Sequence, residues 1–393
     1  MIKHTVNKLS IFILGKVIPK FGLKLTNINN TTEISHDKFI IELRPNFIPS
    51  VLMSFLSINP DMLIGEGYMN GSWTVKEGKL EDVIGVFYNI MGNHTMSSHL
   101  LFKVIKRIRF NRNQTNNPDK SQKNIEYHYD KSNEKNDFFN AMLGCSMSYS
   151  SAIYDSNKSQ NLDDAQVNKI NKILKIMNIK GEQKVLDMGC GWGSFSRAVL
   201  SYDANVTGLT LSNEQHKWCN NEKKSGNETY YLKDYRDYVV SVKEKYDHVV
   251  CLEAFDHIGK SQYNKFFSSF FNVLKKDGSM TMQLILRPQK GITSKWIDTY
   301  IYPGGYITSY EEIKESFNKI GFKEDIKIEY SGEHYAKTLE AWRDNMCQNW
   351  ESLKDKNNFD EVFYNKWMFY FASSISVFRN AGFYTVQLKL IKQ

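Results

Sequence analysis

A doubly wound α/β sheet preceded by a small mixed α+β domain is the fold the sequence predicts, on three observations. The chain has 393 residues, more than one typical core accommodates and enough for two. From Ile125 onward, short apolar runs alternate with stretches of helical periodicity, the pattern of a parallel sheet covered on both faces. One of those runs, Val185-Leu186-Asp187, leads into the glycine-rich turn Met188-Gly189-Cys190-Gly191-Trp192-Gly193-Ser194 and then a helical pattern. The expected division is a first domain over residues 1–105, a linker over 106–124 and a second domain over 125–393.

The elements follow in order. The run from Leu9 to Ile18 is apolar but contains Lys16 and ends at Pro19, short of the roughly 20 apolar residues of a bilayer span. No small-residue cleavage site follows it, so a cytoplasmic protein is expected. Lysines 3, 8, 16, 20 and 24 punctuate this segment, which fits either a helix lying on a membrane surface or one packed on its own domain. Residues 37–58 read as short alternating segments, and GEGYMNGSWTV, with Gly65, Gly67, Gly71 and Trp73, reads as turn-rich. A helical pattern covers Leu80 to Met91. Between Lys103 and Lys123, seven basic residues face the single acid Asp119, which reads as a solvated tether or a polybasic contact for lipid head groups. In the second domain, strands are expected at Lys184–Asp187, Asn205–Leu209, Thr229–Leu232, His248–Cys251 and Ser279–Leu284. Helices are expected at Asp164–Met177 and Gln262–Leu274.

Composition narrows the chemistry. The excess of 51 basic over 43 acidic residues gives a formal charge of +8, which favours an anionic partner surface, nucleic acid or phospholipid. Five scattered cysteines, without a Cys-x-x-Cys pair or a histidine cluster at ligand spacing, predict a reducing compartment and no metal site.

The glycine turn carries the most specific signal. In a wound sheet it sits at the carboxyl edge of the first strand, where ligands bind. Gly189, Gly191 and Gly193 let main chain approach a ligand closely. The dinucleotide fingerprint G-x-G-x-x-G fails, because Ser194 stands three residues after Gly191. Asp187 at the strand end fits instead the pattern of S-adenosylmethionine sites, where such an acid orients the glycine loop. The second strand leads into Thr210, Ser212 and Gln215, neutral groups able to bind ribose hydroxyls. The third leads into Lys233-Asp234-Tyr235-Arg236-Asp237, in which Tyr235 offers a flat face to an adenine and Arg236 adjoins it.

Taken together, these segments resemble one family, the cyclopropane-fatty-acyl-phospholipid and mycolic acid cyclopropane synthases. The likeness runs through HYDKSNEKNDFF (128–139), YSSAIY (149–154), VLDMGCGWG (185–193), GLTLSNEQ (208–215), FDHIG (255–259), YIYPGGYITS (300–309), HYAKTLEAW (334–342) and FRNAGFYTVQL (378–388), with GEGYMNGSW in the first domain. It implies a Rossmann-like class I methyltransferase fold and S-adenosylmethionine as cofactor. The implied substrate is an unsaturated phospholipid at the inner membrane surface rather than nucleic acid, and the implied assembly a homodimer. The implied reaction adds a methyl carbon to an acyl double bond, and proton loss then closes a cyclopropane. It also implies cofactor contacts from Tyr149 and Ser150, and an acyl pocket lined by Tyr370 and Phe378.

Members of the family hold a bicarbonate ion through a Cys, a Glu, a His, a main-chain Ile and a Tyr. The corresponding positions here are Ser151, Asp256, Gln283, Ile285 and Tyr335, so three of the four side chains differ, while His257 remains beside Asp256. Gln283 cannot relay a proton. The sequence therefore leaves open a cyclopropane, a methyl- or methylene-branched product, methylation of an amine or isoprenoid, and a lipid-binding relative without turnover.

Overall fold

The computed structural model describes residues 2–28, 31–57, 59–94, 118–125, 135–155 and 160–393. The chain divides into two units that are not contiguous in sequence. The first comprises Met1–Asn111, Ser294–Ile301 and Asn358–Ala381, and the second Arg112–Thr293, Tyr302–Asn357 and Gly382–Gln393. The boundaries expected from composition omit the two later segments that join the first unit. Much of the expected linker, and residues 128–134 of the HYDKSNEKNDFF segment, lie outside the described residues.

In the first unit, four antiparallel strands run in sequence order: β1 (Lys24–Ile28), β2 (Thr31–His36), β3 (Phe39–Leu43) and β4 (Trp73–Glu77). Of the stretch read as turn-rich, residues 65–69 close the helix Pro60–Met69, residues 70–72 turn, and Trp73 opens β4. The glycines of that helix serve close packing: a Cβ on Gly65 would run into the Trp296 ring, and one on Gly67 into Phe47. Trp296 also packs edge-on against Phe369, which ties both late segments to this unit. The helix Ile2–Val17 buries Leu14 but leaves Leu9 and Phe12 about 60% exposed. Among the described residues, no helix is long and apolar enough to cross a membrane.

The second unit holds the large sheet: β5 (Lys184–Met188), β6 (Asn205–Thr210), β7 (Glu228–Leu232), β8 (Tyr246–Leu252), β9 (Leu274–Arg287), β10 (Thr308–Ser309), β11 (Phe322–Tyr330) and β12 (Tyr384–Lys392). Its order is β11-β12-β9-β8-β5-β6-β7, with the short β10 beside β9. The β5, β6, β7, β8 and β9 neighbours pair in parallel, whereas β12 runs antiparallel to both β9 and β11. The predicted wound sheet is present, and all five expected strands are in it. Both sides of β5 carry parallel neighbours, β6 on one and β8 on the other, so the chain reverses its direction of winding there. That reversal opens a crevice at the carboxyl edge.

Local chemistry explains the elements that frame this crevice. Asn161 caps the helix Leu162–Met177 by accepting from the Asp164 N–H, and Asn178 ends it in the left-handed conformation. Its inner face packs Ile170, Ile173, Leu174 and Met177 against Val185, Val206 and Val250 of the strands. The helix Tyr263–Val273 buries Phe266, Phe267 and Phe270.

Candidate active site

At the end of β5 the chain turns through three left-handed glycines, Gly189 (φ 78°), Gly191 (φ 54°) and Gly193 (φ 79°), before the helix Ser194–Val199. They have different jobs. A Cβ on Gly189 would lie 2.5 Å from that of Ala254, and one on Gly193 would lie 2.6 Å from the Arg197 guanidinium. A Cβ on Gly191 would meet nothing within 4 Å. The Gly189 and Cys190 N–H groups donate to the Leu209 carbonyl at 3.0 Å each, which pins the turn to the end of β6. Asp187 is 1% exposed and accepts from the Ser196 hydroxyl at 2.6 Å, while burial pushes its carboxyl up to about 7.

A cavity opens above this turn. Its walls include Asp187 of β5, Gly189 and Gly191 of the glycine loop, Thr210 at the end of β6 and Gln215 beyond it, Asp234, Tyr235 and Arg236 beyond β7, and Glu253 and His257 beyond β8. Tyr149 and Ser150 line it as well. Thr210 donates to the Gln215 side chain at 2.7 Å. Ser212 and Gly193 are not on the wall: Ser212 caps the helix Asn213–Asn221 by accepting from the Gln215 N–H, and Gly193 precedes the helix Ser194–Val199. Tyr235 lies against Phe270 at 5.4 Å, and its buried hydroxyl has no hydrogen-bond partner among the described residues. Arg236 grips Asp234 with two donors at 2.7 Å and reaches Ser121 at 3.0 Å. Ser121 belongs to the helix Pro118–Ile125, so part of the expected linker is a wall of the cavity.

The acid that takes hydrogen bonds from Ser151 and Gln283 is not Asp256, which the sequence grouped with them. Asp256 sits on the single turn Phe255–His257 and lies off the wall, its carbonyl accepting from the Tyr306 N–H at 2.9 Å and its carboxyl pushed up by burial. Glu253, three residues earlier, lines the cavity. Both its carboxylate oxygens accept from the Ser151 N–H at 3.0 Å, and one accepts from the Gln283 amide at 2.8 Å. The Ser151 hydroxyl turns away to the Ala152 carbonyl. Gln283 is oriented in turn: Gln387 donates to its oxygen at 3.0 Å, and Tyr330 donates to Gln387 at 3.0 Å. Ile285 lies two residues beyond Gln283 on β9, opposite Thr385 of β12. Behind the wall, Lys169 is 1% exposed and donates to the Ser148 and Ser150 hydroxyls at 2.6 and 2.7 Å. Burial lowers its pKa, and burial raises that of Glu253. The detectable signal was an acid closing the buried run His248–Leu252, at the carboxyl edge where such sheets bind ligands.

Aromatic rings gather beside the cavity. Tyr149 packs on Phe139 at 5.4 Å and Trp342 at 4.9 Å, and Trp342 meets Tyr335 edge-on at 6.0 Å. Tyr302 donates to the Tyr149 hydroxyl at 2.7 Å and faces the His257 ring. Tyr335 is buried on the helix Gly332–Asn357. Tyr370 and Phe378 belong to the first unit, in the helix Glu361–Asn380, where Tyr370 packs on Trp367 and Phe371. No cluster of three or more His, Cys, Asp or Glu suited to a metal occurs among the described residues.

A family model described as mycolic acid cyclopropane synthetase matches residues 116–388 of this chain. The chain belongs to that family. The mycolic acid cyclopropane synthetases and their kin are S-adenosylmethionine-dependent methyltransferases, so this family member carries their cofactor fold. Cyclopropane-fatty-acyl-phospholipid synthase of Escherichia coli (strain K12) is 31% identical over 254 residues, which cover 64% of this chain and 63% of that protein. The matched region is therefore under two thirds of that relative's length. Tuberculostearic acid methyltransferase UfaA1 of Mycobacterium tuberculosis (strain ATCC 25618 / H37Rv) is 29% identical over 345 residues, 84% of this chain and 78% of that protein. Among solved structures, mycolic acid cyclopropane synthase CmaA1 complexed with SAH and CTAB superposes with a TM-score of 0.62 at 29% identity. That superposition covers 69% of this synthetase-family chain and 98% of CmaA1.

Proposed function

We propose that the protein transfers a methyl carbon from S-adenosylmethionine to the double bond of an unsaturated phospholipid acyl chain, with a cyclopropane as product. The observation that carries this reading is the cavity at the carboxyl ends of β5, β6 and β8, where the glycine loop, the Tyr149 ring and the hydrogen-bonded Glu253 carboxylate meet. Its residues fit the cofactor. Gly191 leaves open space where any side chain would stand, Tyr235 brings a ring with a spare hydroxyl, and the Thr210–Gln215 pair lines the same cavity, offering hydrogen-bonding groups to a ribose. When bound, S-adenosylmethionine supplies an electrophilic methyl group on a sulfonium sulfur.

The chain's own residues supply the rest. An alkene is a weak nucleophile, so the wall must hold it in line and keep water out. Tyr149 puts an aromatic ring on the cavity wall, backed by Trp342 and, behind that, Tyr335, and aromatic faces stabilise the positive charge that develops on the acyl chain. The chain's formal charge of +8 favours the anionic leaflet on which such a substrate lies, and we place the protein at the inner membrane surface as a homodimer. Tyr370 and Phe378 are assigned to acyl-chain contacts on the family resemblance.

The test is release of S-adenosylhomocysteine by the full chain with vesicles of unsaturated or fully saturated phosphatidylglycerol. Turnover confined to the unsaturated vesicles is expected. Equal turnover on both would point to a head-group or amine acceptor, and none on either to a lipid-binding protein.

A further inference from the structure

We propose that the Glu253 carboxylate is the built-in base of this reaction, standing between the Ser151 N–H and the Gln283 amide, where the family resemblance leads one to expect a bound bicarbonate ion. The inference rests on the lipid-alkylating reading and names the group that takes its proton. Ser151 and Gln283 are two of the positions expected to ring a small anion, and both aim their donors at Glu253 instead, at 3.0 and 2.8 Å. A carboxylate is the planar, acceptor-only half of a bicarbonate ion, so the same donors satisfy either.

Three further observations support the assignment. Glu253 holds φ at 53°, a left-handed conformation that is strained for a residue with a Cβ. Such strain concentrates at functional positions. The Tyr330–Gln387–Gln283 series fixes the Gln283 amide with its NH2 toward Glu253, so the carboxylate is held by donors rather than left to rotate. Burial opposes the ionised form of Glu253, while the hydrogen bonds from Gln283 and Ser151 and the positive charge of Lys169 favour it, leaving a carboxyl more basic than one in water.

The step balances within the site. The π pair of the alkene bonds to the transferred carbon, and the sulfur keeps the pair of the broken S–C bond. A C–H bond of the transferred carbon then breaks, its pair closes the third side of the ring, and its proton passes to a Glu253 oxygen. Water takes that proton after the product leaves.

The test compares the wild-type chain with Glu253→Gln and Glu253→Gly, in buffer freed of carbon dioxide and again with bicarbonate added. The glycine variant relieves the positive φ and is expected to fold. Wild-type turnover should not change with bicarbonate. Glu253→Gln should lose about 10²–10⁴-fold in kcat, as removal of a general base does, with adenosylmethionine affinity held within about threefold by calorimetry. Glu253→Gly should regain turnover with bicarbonate or formate. It should also broaden the carbon-13 resonance of labelled bicarbonate, which the wild type leaves sharp. Bicarbonate-dependent wild-type turnover, broadening of that signal by the wild type, or a Glu253→Gln variant as fast as its parent would overturn the proposal. Should the wild type alkylate no lipid at all, the lipid reading fails, and the bicarbonate resonance still decides whether Glu253 fills an anion site.

Discussion

Replacing Gly191 by alanine should separate the ligand-binding role of the glycine turn from its folding role. Gly191 sits at φ 54° and an added Cβ meets nothing within 4 Å, so alanine there costs only left-handed strain, about 1 kcal/mol. In a unit of this size, that lowers Tm by roughly 2–4 °C. The same methyl group stands in the space through which main chain would touch the cofactor. Displacing a ligand held by several such contacts should cost about 2–3 kcal/mol, or about 30–150-fold in Kd. Gly189→Ala reverses the balance. Its Cβ would lie 2.5 Å from that of Ala254, against the 3.5–4.0 Å of ordinary carbon contact, so roughly 1 Å of movement is forced on the turn. Strain and overpacking together should destabilise by about 2–5 kcal/mol. Calorimetric binding of S-adenosylmethionine beside thermal unfolding gives both readouts. A Gly191→Ala variant that binds as tightly as its parent would show that the cofactor does not approach this turn.

Other expectations follow from the same structure. Lys169→Met should move the acidic limb of the kcat/KM profile to higher pH, because the lysine charge adds to the Gln283 and Ser151 hydrogen bonds in favouring ionised Glu253; an unmoved limb would place Lys169 outside the site's electrostatics. Arg236→Lys loses the two-pronged hold on Asp234 and the contact to Ser121, and should cost about 2 kcal/mol and speed amide exchange in the helix Pro118–Ile125. Unchanged exchange there would mean that the helix is held by other contacts. His248, buried between Ser279 and Gln183, has its pKa lowered by burial from 6.5 to about 4. Its neutral form is favoured in the fold, so the stability it contributes is complete above pH 6.5 and is lost as pH falls toward 4, about 3 kcal/mol in all. His248→Gln should flatten the urea-midpoint slope across that interval, and a parallel slope would refute the assignment.

Much of the second unit was legible in the sequence because its strands are buried on both faces and read as unbroken apolar runs, as at Val185–Leu186 and His248–Cys251. The glycine turn was legible because its spacing excluded the dinucleotide pattern. What escaped depends on contacts distant in sequence. Pro118–Ile125 has a polar composition without an apolar stripe, and it is held where it is by Ser121 and Arg236. Gly65 and Gly67 read as turn residues, yet they lie in a helix whose neighbours are large rings. The segments Ser294–Ile301 and Asn358–Ala381 join the first unit through packing such as Trp296 on Phe369, which no local pattern announces. β11 and β12, at the far edge of the sheet, were likewise unforeseen. Glu253 was passed over because the family pattern drew notice to Asp256, whereas only the fold brings the Glu253 carboxylate to Ser151 and Gln283.

The most direct measurement of the central claim is carbon-13 magnetic resonance of phospholipids recovered after incubation with the full chain and methyl-labelled S-adenosylmethionine. The account predicts label in the strained ring methylene of the acyl chain, one for each double bond consumed. Label on a head-group nitrogen, or an acyl chain that stays unlabelled while S-adenosylhomocysteine accumulates, would contradict it.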